Sequence, residues 1–190
     1  MTSLRPMVLS ALLSAALVAA MPDRGSVDEF LPLIGASGGT SFTRNCPDGK
    51  VLTGIRVRTG AVIDGIGILC SGMGTGGWLG TPAFSGTMAG GNGGTVKDLT
   101  CPAMGGRIGA VAGQRGGSLG IGIDRLTLIC REWLSDARAL GAGDTREITA
   151  KCCTGGDQPR ECGTAGWPAV GIRGRHGSIV DAVGLVCGLP

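Results

Sequence analysis

One stretch occurs three times in the chain: GAVIDGIGILC at residues 60–70, GIGIDRLTLIC at residues 120–130 and GSIVDAVGLVC at residues 177–187. In each copy an Asp follows the first Gly by four residues and precedes the last Cys by six residues. After the Asp, residues two apart share one apolar face, which is typical of a β-strand, while the Gly and β-branched content disfavours a helix. The three copies predict similar β units that bury their apolar faces by packing on one another.

The composition indicates a single domain of turn-rich β structure. The chain has 190 residues, of which 43% are hydrophobic but only 3% are aromatic. Its core must therefore consist of small and aliphatic side chains. Glycine accounts for 38 residues without a triplet period, which favours β structure with many turns over collagen or disorder.

Residues 1–20 are predicted to be a signal peptide that is removed, leaving residues 21–190 as one domain. Arg5 precedes an apolar run over residues 7–20, and Val18 and Ala20 suit the small positions before a cleavage site. The run is shorter than the roughly 20 residues of a membrane span, and no later stretch could replace it. We therefore expect a secreted protein, periplasmic or extracellular, without a membrane span; an uncleaved anchor is the alternative.

The mature chain divides into three units, at about residues 28–70, 76–130 and 132–187. Each unit has an aromatic-Leu pair, a glycine loop with a short strand that reaches a Cys, and two longer strands. The loops are GASGGT at residues 35–40, GGNGGT at residues 90–95 and GAGDT at residues 141–145. The second unit is expected to carry a five-residue insertion, because Gly109 precedes Asp124 by 15 residues whereas Gly54 precedes Asp64 by 10.

The order of these elements predicts how the chain closes. The first two units are followed by a Trp-Leu pair, at residues 78–79 and 133–134, whereas the third unit ends at Cys187 without one. We therefore expect the strand at Phe30, near the mature N-terminus, to complete the sheet of the last unit. Such closure removes an exposed sheet edge, which would otherwise invite aggregation.

All eight cysteines lie in the mature chain, and their even number is consistent with oxidation outside the cytoplasm. A metal site is not expected, because no CxxC occurs and His176 is the only histidine. The unit alignment pairs the first Cys of each unit with its last one. The predicted disulfides are Cys46–Cys70, Cys101–Cys130, Cys152–Cys187 and, within the last unit's loop, Cys153–Cys162. The alternative joins Cys162 to Cys187 and Cys152 to its neighbour Cys153, which would strain the backbone.

The combination of a GGxGG-type loop with an RxGxxxDxI strand resembles the jacalin-related lectins. The resemblance covers most of the mature chain in three copies. It implies an all-β fold, a β-prism of three four-stranded Greek-key sheets with pseudo-threefold symmetry, here closed by the N-terminal strand and bonded by disulfides. The Cys-Pro pairs at residues 46–47 and 101–102 are similar instead to the vitelline membrane outer layer protein, a disulfide-bonded β-prism of an extracellular coat.

In the lectin family a monosaccharide lies between the glycine loop and the GxxxD turn. The resemblance therefore implies three acceptors for sugar hydroxyls, the carboxylates of Asp64, Asp124 and Asp181. Glycines would let backbone amides approach the sugar closely. They are Gly60, Gly120 and Gly177 in the turns, and Gly38, Gly39, Gly93, Gly94 and Gly143 in the loops. Because the turns carry no aromatic side chain to stack on a sugar, aspartates that cap backbone amides are the alternative.

Several other functions are disfavoured. Without Arg5 the chain has 16 basic and 14 acidic residues, scattered singly, so nucleic acid is not an expected partner. Residues 72–77 (GMGTGG) match GxGxxG, but no helical pattern follows, so no dinucleotide or other cofactor is expected. Each unit places one carboxylate where a glycosidase needs two. The sequence thus predicts a non-catalytic protein that binds glycans, or alternatively a structural or protein-interaction β-prism of an extracellular coat.

Overall fold

The computed structural model describes residues 28–74, 78–104, 107–118, 120–134, 137, 139–142, 145–150, 159–163 and 166–190. In these residues the secondary structure is strands and turns, with no helix. The strands are β1 (Glu29–Phe30), β2 (Ile34–Gly35), β3 (Thr40–Asn45), β4 (Lys50–Thr59), β5 (Ile63–Gly72), β6 (Ala83–Gly90), β7 (Thr95–Thr100), β8 (Ala103–Met104), β9 (Arg107–Ile108), β10 (Ala110–Ser118), β11 (Ile123–Arg131), β12 (Trp133–Leu134), β13 (Ala139–Leu140), β14 (Arg146–Ala150), β15 (Arg160–Glu161), β16 (Ala169–His176) and β17 (Val180–Cys187).

Among the described residues, three larger antiparallel sheets are each built on one hairpin, while β8 with β9 and β12 with β13 form two small two-stranded sheets. The first sheet has the order β6-β5-β4-β7, the second β14-β11-β10-β15, and the third β1-β17-β16-β3 with β2 also paired to β17. The second strand of each hairpin is the repeated stretch that ends in Cys. The predicted all-β, three-sheet fold is thus confirmed.

The start of the described chain completes the last sheet, as expected from Phe30. In the register of β1 with β17, Phe30 lies opposite Val186. The corresponding edge residue of the first sheet is Phe84, which lies opposite Leu69, so the Trp-Leu pair at residues 78–79 does not take that place. β3 also joins the third sheet, by pairing with β16. The loop at residues 90–95 therefore connects the two edges of the first sheet, and the loop at residues 35–40 connects two edge strands of the third sheet, whose central hairpin lies at the other end of the chain.

Aliphatic side chains from all three sheets meet in one buried core, as the low aromatic content predicts. Ile55, Ile66, Leu128, Ile172 and Leu185 are at most 1% exposed and belong to one contiguous cluster. Burial of a side chain of this size contributes about 1.5–3 kcal/mol. Packing between the three sheets therefore supplies most of the hydrophobic stabilisation.

A β-bulge at the same position of each hairpin defines how the three copies align. The additional residues are Thr53, Ala112 and Val170, each of which has no partner across the hairpin. Gly113, which follows Ala112, is therefore the counterpart of Gly54. The prediction that began the alignment at Gly109 was wrong. From the bulge to the aspartate, the second copy is one residue longer than the first, not five.

The bulges also explain the disulfides. Each bulge carbonyl accepts a hydrogen bond from a half-cystine amide: Cys101 to Thr53 at 2.8 Å, Cys162 to Ala112 at 2.7 Å and Cys46 to Val170 at 2.7 Å. Cys162 is thus the third counterpart of Cys46 and Cys101. The bonds are Cys46–Cys70, Cys101–Cys130 and Cys162–Cys187.

Two of these disulfides are the predicted ones, and the third corrects the prediction. Cys187 bonds to Cys162, so the predicted pairs Cys152–Cys187 and Cys153–Cys162 are wrong. Cys152 and Cys153 themselves lie outside the described residues. Each of the three bonds joins a strand end in one sheet to the central hairpin of the next, so together they link the three sheets in a ring.

The predicted signal peptide lies within residues 1–27, which the structure does not describe. Among the described residues, no helix is long and apolar enough to cross a membrane.

Candidate functional site

The turns of the three hairpins lie at the end of the domain opposite the disulfides. Asp64 precedes Cys70 by six residues of extended strand, a span of about 20 Å. At the turn end the copies contact one another. A Cβ on Gly91, in the first sheet's glycine loop, would collide with the carbonyl of Ser178 in the third sheet's turn, and a Cβ on Gly122 would collide with Ile179. The three turns therefore lie close together at this end, with the glycine loops of the first and third sheets beside them.

The first site is the carboxylate of Asp64 with the glycines around it. Cβ atoms built on Gly93 and Gly94 would each lie 2.7 Å from an Asp64 carboxylate oxygen, and one on Gly60 would lie 2.9 Å from Oδ2. Gly94 also has φ +68°, which favours glycine. The Gly91 amide donates to the Asp64 carbonyl at 2.7 Å. Only glycines allow the loop and the turn to close on this carboxylate.

The third site repeats this arrangement around Asp181. A Cβ on Gly39 would collide with Asp181 Oδ2, while Cβ atoms on Gly38 and Gly177 would lie 3.4 Å and 3.8 Å from its carboxylate oxygens. The Ala36 amide donates to the Asp181 carbonyl at 2.9 Å. The structure therefore brings together loop and turn glycines that stand far apart in the sequence.

The two sites share a turn geometry and an unused acceptor. The Gly60 amide donates to the Val62 carbonyl and the Gly177 amide to the Ile179 carbonyl, both at 3.0 Å. In the described part of the chain, neither Asp64 Oδ2 nor Asp181 Oδ2 has a hydrogen-bond partner, although both atoms are buried. Buried polar atoms are nearly always paired with protein, water or a ligand. In the second hairpin, Asp124 Oδ1 is likewise buried without a partner among the described residues, so the unpaired oxygen is common to all three copies and the surrounding glycines are what distinguish the first and third.

Two arginines, not identified in the sequence, hold the glycine loops in place. Arg175 donates to the Gly38 and Gly39 carbonyls, both at 2.7 Å, and Arg58 donates to the Asn92 carbonyl at 3.2 Å. Arg58 and Arg175 occupy the same hairpin position. The signal was present in the repeated words GIRVR and GIRGR, whose second Arg points to a shared role.

The second hairpin lacks this arrangement. Gly117 occupies the position of the two loop-holding arginines. The turn is one residue longer, and the Ser118 hydroxyl donates to the Gly122 carbonyl at 2.9 Å and accepts from the Gly120 amide at 3.1 Å. A Cβ on Gly120 would meet nothing within 4 Å, so this glycine does not line the Asp124 carboxylate. Asp124 is itself only 5% exposed.

The predicted third loop, GAGDT, lies elsewhere. Its first residue, Gly141, donates to the Glu132 carbonyl at 2.8 Å, just beyond β11 at the disulfide end. Gly143 lies outside the described residues. The connection that corresponds to the other two glycine loops is the one between β14 and β15, because those strands flank the second hairpin. Glycine content alone had suggested the wrong connection.

On the outer face of the first sheet, an ion pair joins β4 to β7. Arg56 donates to both carboxylate oxygens of Asp98 at 2.7 Å, and its guanidinium lies 4.4 Å from the centroid of the Phe84 ring. These hydrogen bonds lower the pKa of Asp98 and raise the pKa of Arg56. In the described residues, no group of three His, Cys, Asp or Glu side chains is placed to hold a metal ion.

No protein-family model matches the chain, and no curated protein matches it. Among solved structures, the Calystegia sepium agglutinin has a TM-score of 0.53 at 16% identity, over 86% of this chain and 98% of that chain. The lamprey immune protein has a TM-score of 0.53 at 18% identity, over 85% of this chain and 44% of that chain. AcmJRL, a mannose-binding jacalin-related lectin from Ananas comosus, has a TM-score of 0.47 at 23% identity, over 86% of this chain and 97% of that chain. The chain thus shares its fold with the Calystegia sepium agglutinin and with part of the lamprey immune protein.

Proposed function

We propose that the protein is a secreted, non-catalytic carbohydrate-binding protein with two sugar sites, one at Asp64 and one at Asp181. The observation that carries this proposal is the enclosure of each of these two carboxylates by glycines of a turn and a loop, next to an Oδ2 atom without a partner among the described residues. A structural cap would use that oxygen to accept a backbone amide. Three disulfides are consistent with an oxidising location outside the cytoplasm.

Each site is suited to the hydroxyls of one monosaccharide. An ionised carboxylate accepts two hydroxyl hydrogen bonds, each of which contributes about 1.5–3 kcal/mol. Because they carry no side chain, the glycines let a sugar ring approach the backbone closely. No aromatic side chain lies in either turn, so stacking adds nothing. We expect dissociation constants of about 1 mM for a monosaccharide at a single site.

Two neighbouring sites favour multivalent glycans over free sugars. Gly91 beside the first site packs on Ser178 beside the third, so both sites belong to one rigid surface. A branched glycan or a glycan-coated surface that engages both sites binds more tightly than either site alone. The Calsepa lectin, a solved structure with a TM-score of 0.51 at 16% identity, is in complex with a bisected glycan, which is a property of that protein and a reason to include branched glycans among the probes.

The test is a glycan array probed with the full chain and with aspartate variants. We expect Asp64→Ala and Asp181→Ala each to lower binding and the double variant to abolish it. Asp124→Ala is the matched control and should bind like the parent chain, because the second hairpin lacks the loop-holding arginine. Retention of binding by the double variant, or no binding of any glycan by the parent chain, would refute the proposal.

The ring of disulfides favours a second candidate, a structural or protein-interaction β-prism of an extracellular coat that does not bind sugar. The similarity to the vitelline membrane outer layer protein stays a prediction. This candidate requires strong resistance to protease and heat that disappears when the disulfides are reduced. It also requires that no glycan on the array binds the protein. Proteolysis half-lives with and without a reductant distinguish the two candidates when they are set beside the array.

A further inference from the structure

A pocket of about 340 Å³ lies between the first and second sheets, beside the first site. We call it the seam pocket, because it opens where β7, the edge of the first sheet, contacts β14, the edge of the second. Val57, Leu99 and Ala150 provide its apolar walls. Its volume lies at the lower end of the range for small-molecule sites, about 300–1,000 Å³.

The seam pocket adjoins the first site through a single residue. Gly60 lines the pocket, and a Cβ built on Gly60 would lie 2.9 Å from Asp64 Oδ2. The backbone of Gly60 thus separates the two spaces. The pocket is therefore the nearest neighbour of the first site on the side of Gly60.

The polar side chains of the pocket are a cation and two hydroxyls. Lys97, Thr59 and Thr149 line it, and the Thr149 hydroxyl is hydrogen-bonded to that of Thr127 at 3.0 Å. Lys97 is exposed, and none of the ion pairs among the described residues includes it. The neighbouring carboxylate of Asp98 is taken by Arg56 on the outer face. The ammonium group of Lys97 is therefore available to an anion in the pocket.

The corresponding position in the third sheet shows what is particular to Lys97. Lys97 lies opposite Val57, and Phe42 lies opposite the equivalent residue, Gly174. The Phe42 ring covers Gly174 and is only 7% exposed, and Arg44 on the same strand donates to the Thr87 carbonyl of the first sheet at 3.0 Å. In the third sheet this position is filled by the packed ring of Phe42. In the first sheet it is occupied by Lys97, whose cation lies beside the open seam pocket.

We propose that the seam pocket binds an anionic group, a sulfate ester or a carboxylate, on the sugar adjacent to the one held at Asp64. The inference rests on the proposed sugar site and adds a charge preference to it. Lys97 neutralises the anion, and the threonine hydroxyls donate to its oxygens. The third site, with Phe42 in place of Lys97, has no such preference.

The experiment uses an array with matched sets of neutral, sulfated and uronic-acid-containing oligosaccharides, probed with the full chain in the Asp181→Ala background. We expect Lys97→Gln to weaken binding of the charged members about fivefold, as for an exposed ion pair, and to leave the neutral members unchanged. Lys50→Gln is the control of equal charge, since Lys50 lines a different pocket at the start of β4. The separate sulfated and uronate sets identify which anion is bound.

Each outcome decides between the two proposals. Equal binding of charged and neutral members, or equal effects of Lys97→Gln and Lys50→Gln, overturns the charge preference and leaves the sugar site standing. Binding of charged members that needs Lys97 but not Asp64 overturns the link between pocket and sugar site. If the Asp64→Ala variant no longer binds the neutral oligosaccharides, the sugar site is supported, whatever the effect of Lys97→Gln. If none of the sulfated or uronic-acid-containing oligosaccharides binds the parent chain, the inference is overturned.

Discussion

At the disulfide end the three hairpins are alike, whereas at the turn end only the first and the third agree. Every hairpin has a bulge whose carbonyl accepts a half-cystine amide, and every hairpin Cys bonds to the adjacent sheet. At the turns, by contrast, the second hairpin has Gly117 where the others have Arg58 and Arg175, and one more residue. The disulfide end is the same in all three copies, whereas the turn end differs in the second copy, which lacks the proposed site.

The largest expected effect comes from breaking the symmetric end. The double variant Cys162→Ala with Cys187→Ala should lower the free energy of unfolding by about 3 kcal/mol, because the bond closes a 25-residue loop in the unfolded chain. Urea denaturation measures this. In the control double variant Cys152→Ala with Cys153→Ala, peptide mapping should still recover the Cys162–Cys187 bond. A bond from Cys187 to Cys152 in the parent chain would contradict the alignment by bulges.

The next prediction concerns the turn end and compares two glycines that both have a positive φ. Gly94 (φ +68°) and Gly120 (φ +85°) both adopt conformations that cost an alanine about 1–2 kcal/mol. Only a Cβ on Gly94 would also meet the Asp64 carboxylate and the Thr59 backbone. We expect Gly94→Ala to destabilise the protein more than Gly120→Ala and to abolish sugar binding at the first site, measured in the Asp181→Ala background. Unchanged binding by Gly94→Ala would separate the glycine loop from the site.

The loop-holding arginines give a smaller, graded effect. In the Asp64→Ala background, which leaves the third site alone, Arg175→Ala should weaken sugar binding by about 1 kcal/mol, roughly fivefold, because two loop carbonyls lose their donor. Arg58→Ala in the Asp181→Ala background should cost less, since Arg58 makes one longer hydrogen bond. Titration of both variants with the same glycan gives their dissociation constants, which are then compared. An effect of Arg58→Ala as large as that of Arg175→Ala would show that something other than loop support is lost.

The sequence predicted the parts of the molecule that depend on local pattern. Period-two alternation and the repeated Gly, Asp and Cys located all three hairpins, and the missing last strand correctly assigned Phe30 to β17. Two disulfides followed from the same alignment. The glycines around Asp64 and Asp181 were identified as candidates, although the sequence units grouped Gly38 and Gly39 with Asp64 instead of Asp181.

The remaining features depend on register across sheets, which local pattern does not specify. Cys162 is the third half-cystine because its amide reaches the Ala112 carbonyl, a contact between residues 50 positions apart. GAGDT has the composition of a site loop, yet Gly141 bonds to Glu132 at the disulfide end. The arginines that hold the loops stood in the RxGxxxDxI motif, but their role was not predicted, because their partners are carbonyls that any residue carries.

The smallest expected effect concerns the ion pair of the first sheet, which has no part in either site. Hydrogen bonds from Arg56 lower the folded-state pKa of Asp98 below its usual value of 3.8. The pair therefore stabilises the protein above about pH 4 and loses this contribution as the pH falls through the folded-state pKa. Because both side chains are about a third exposed or more, the gain is under about 1 kcal/mol. Asp98→Asn should lower the unfolding free energy by that amount at pH 7 and by nothing near pH 2, with sugar binding unchanged at pH 7. A stability difference that persists at pH 2 would assign the role of Asp98 to packing against Arg56 instead of to charge.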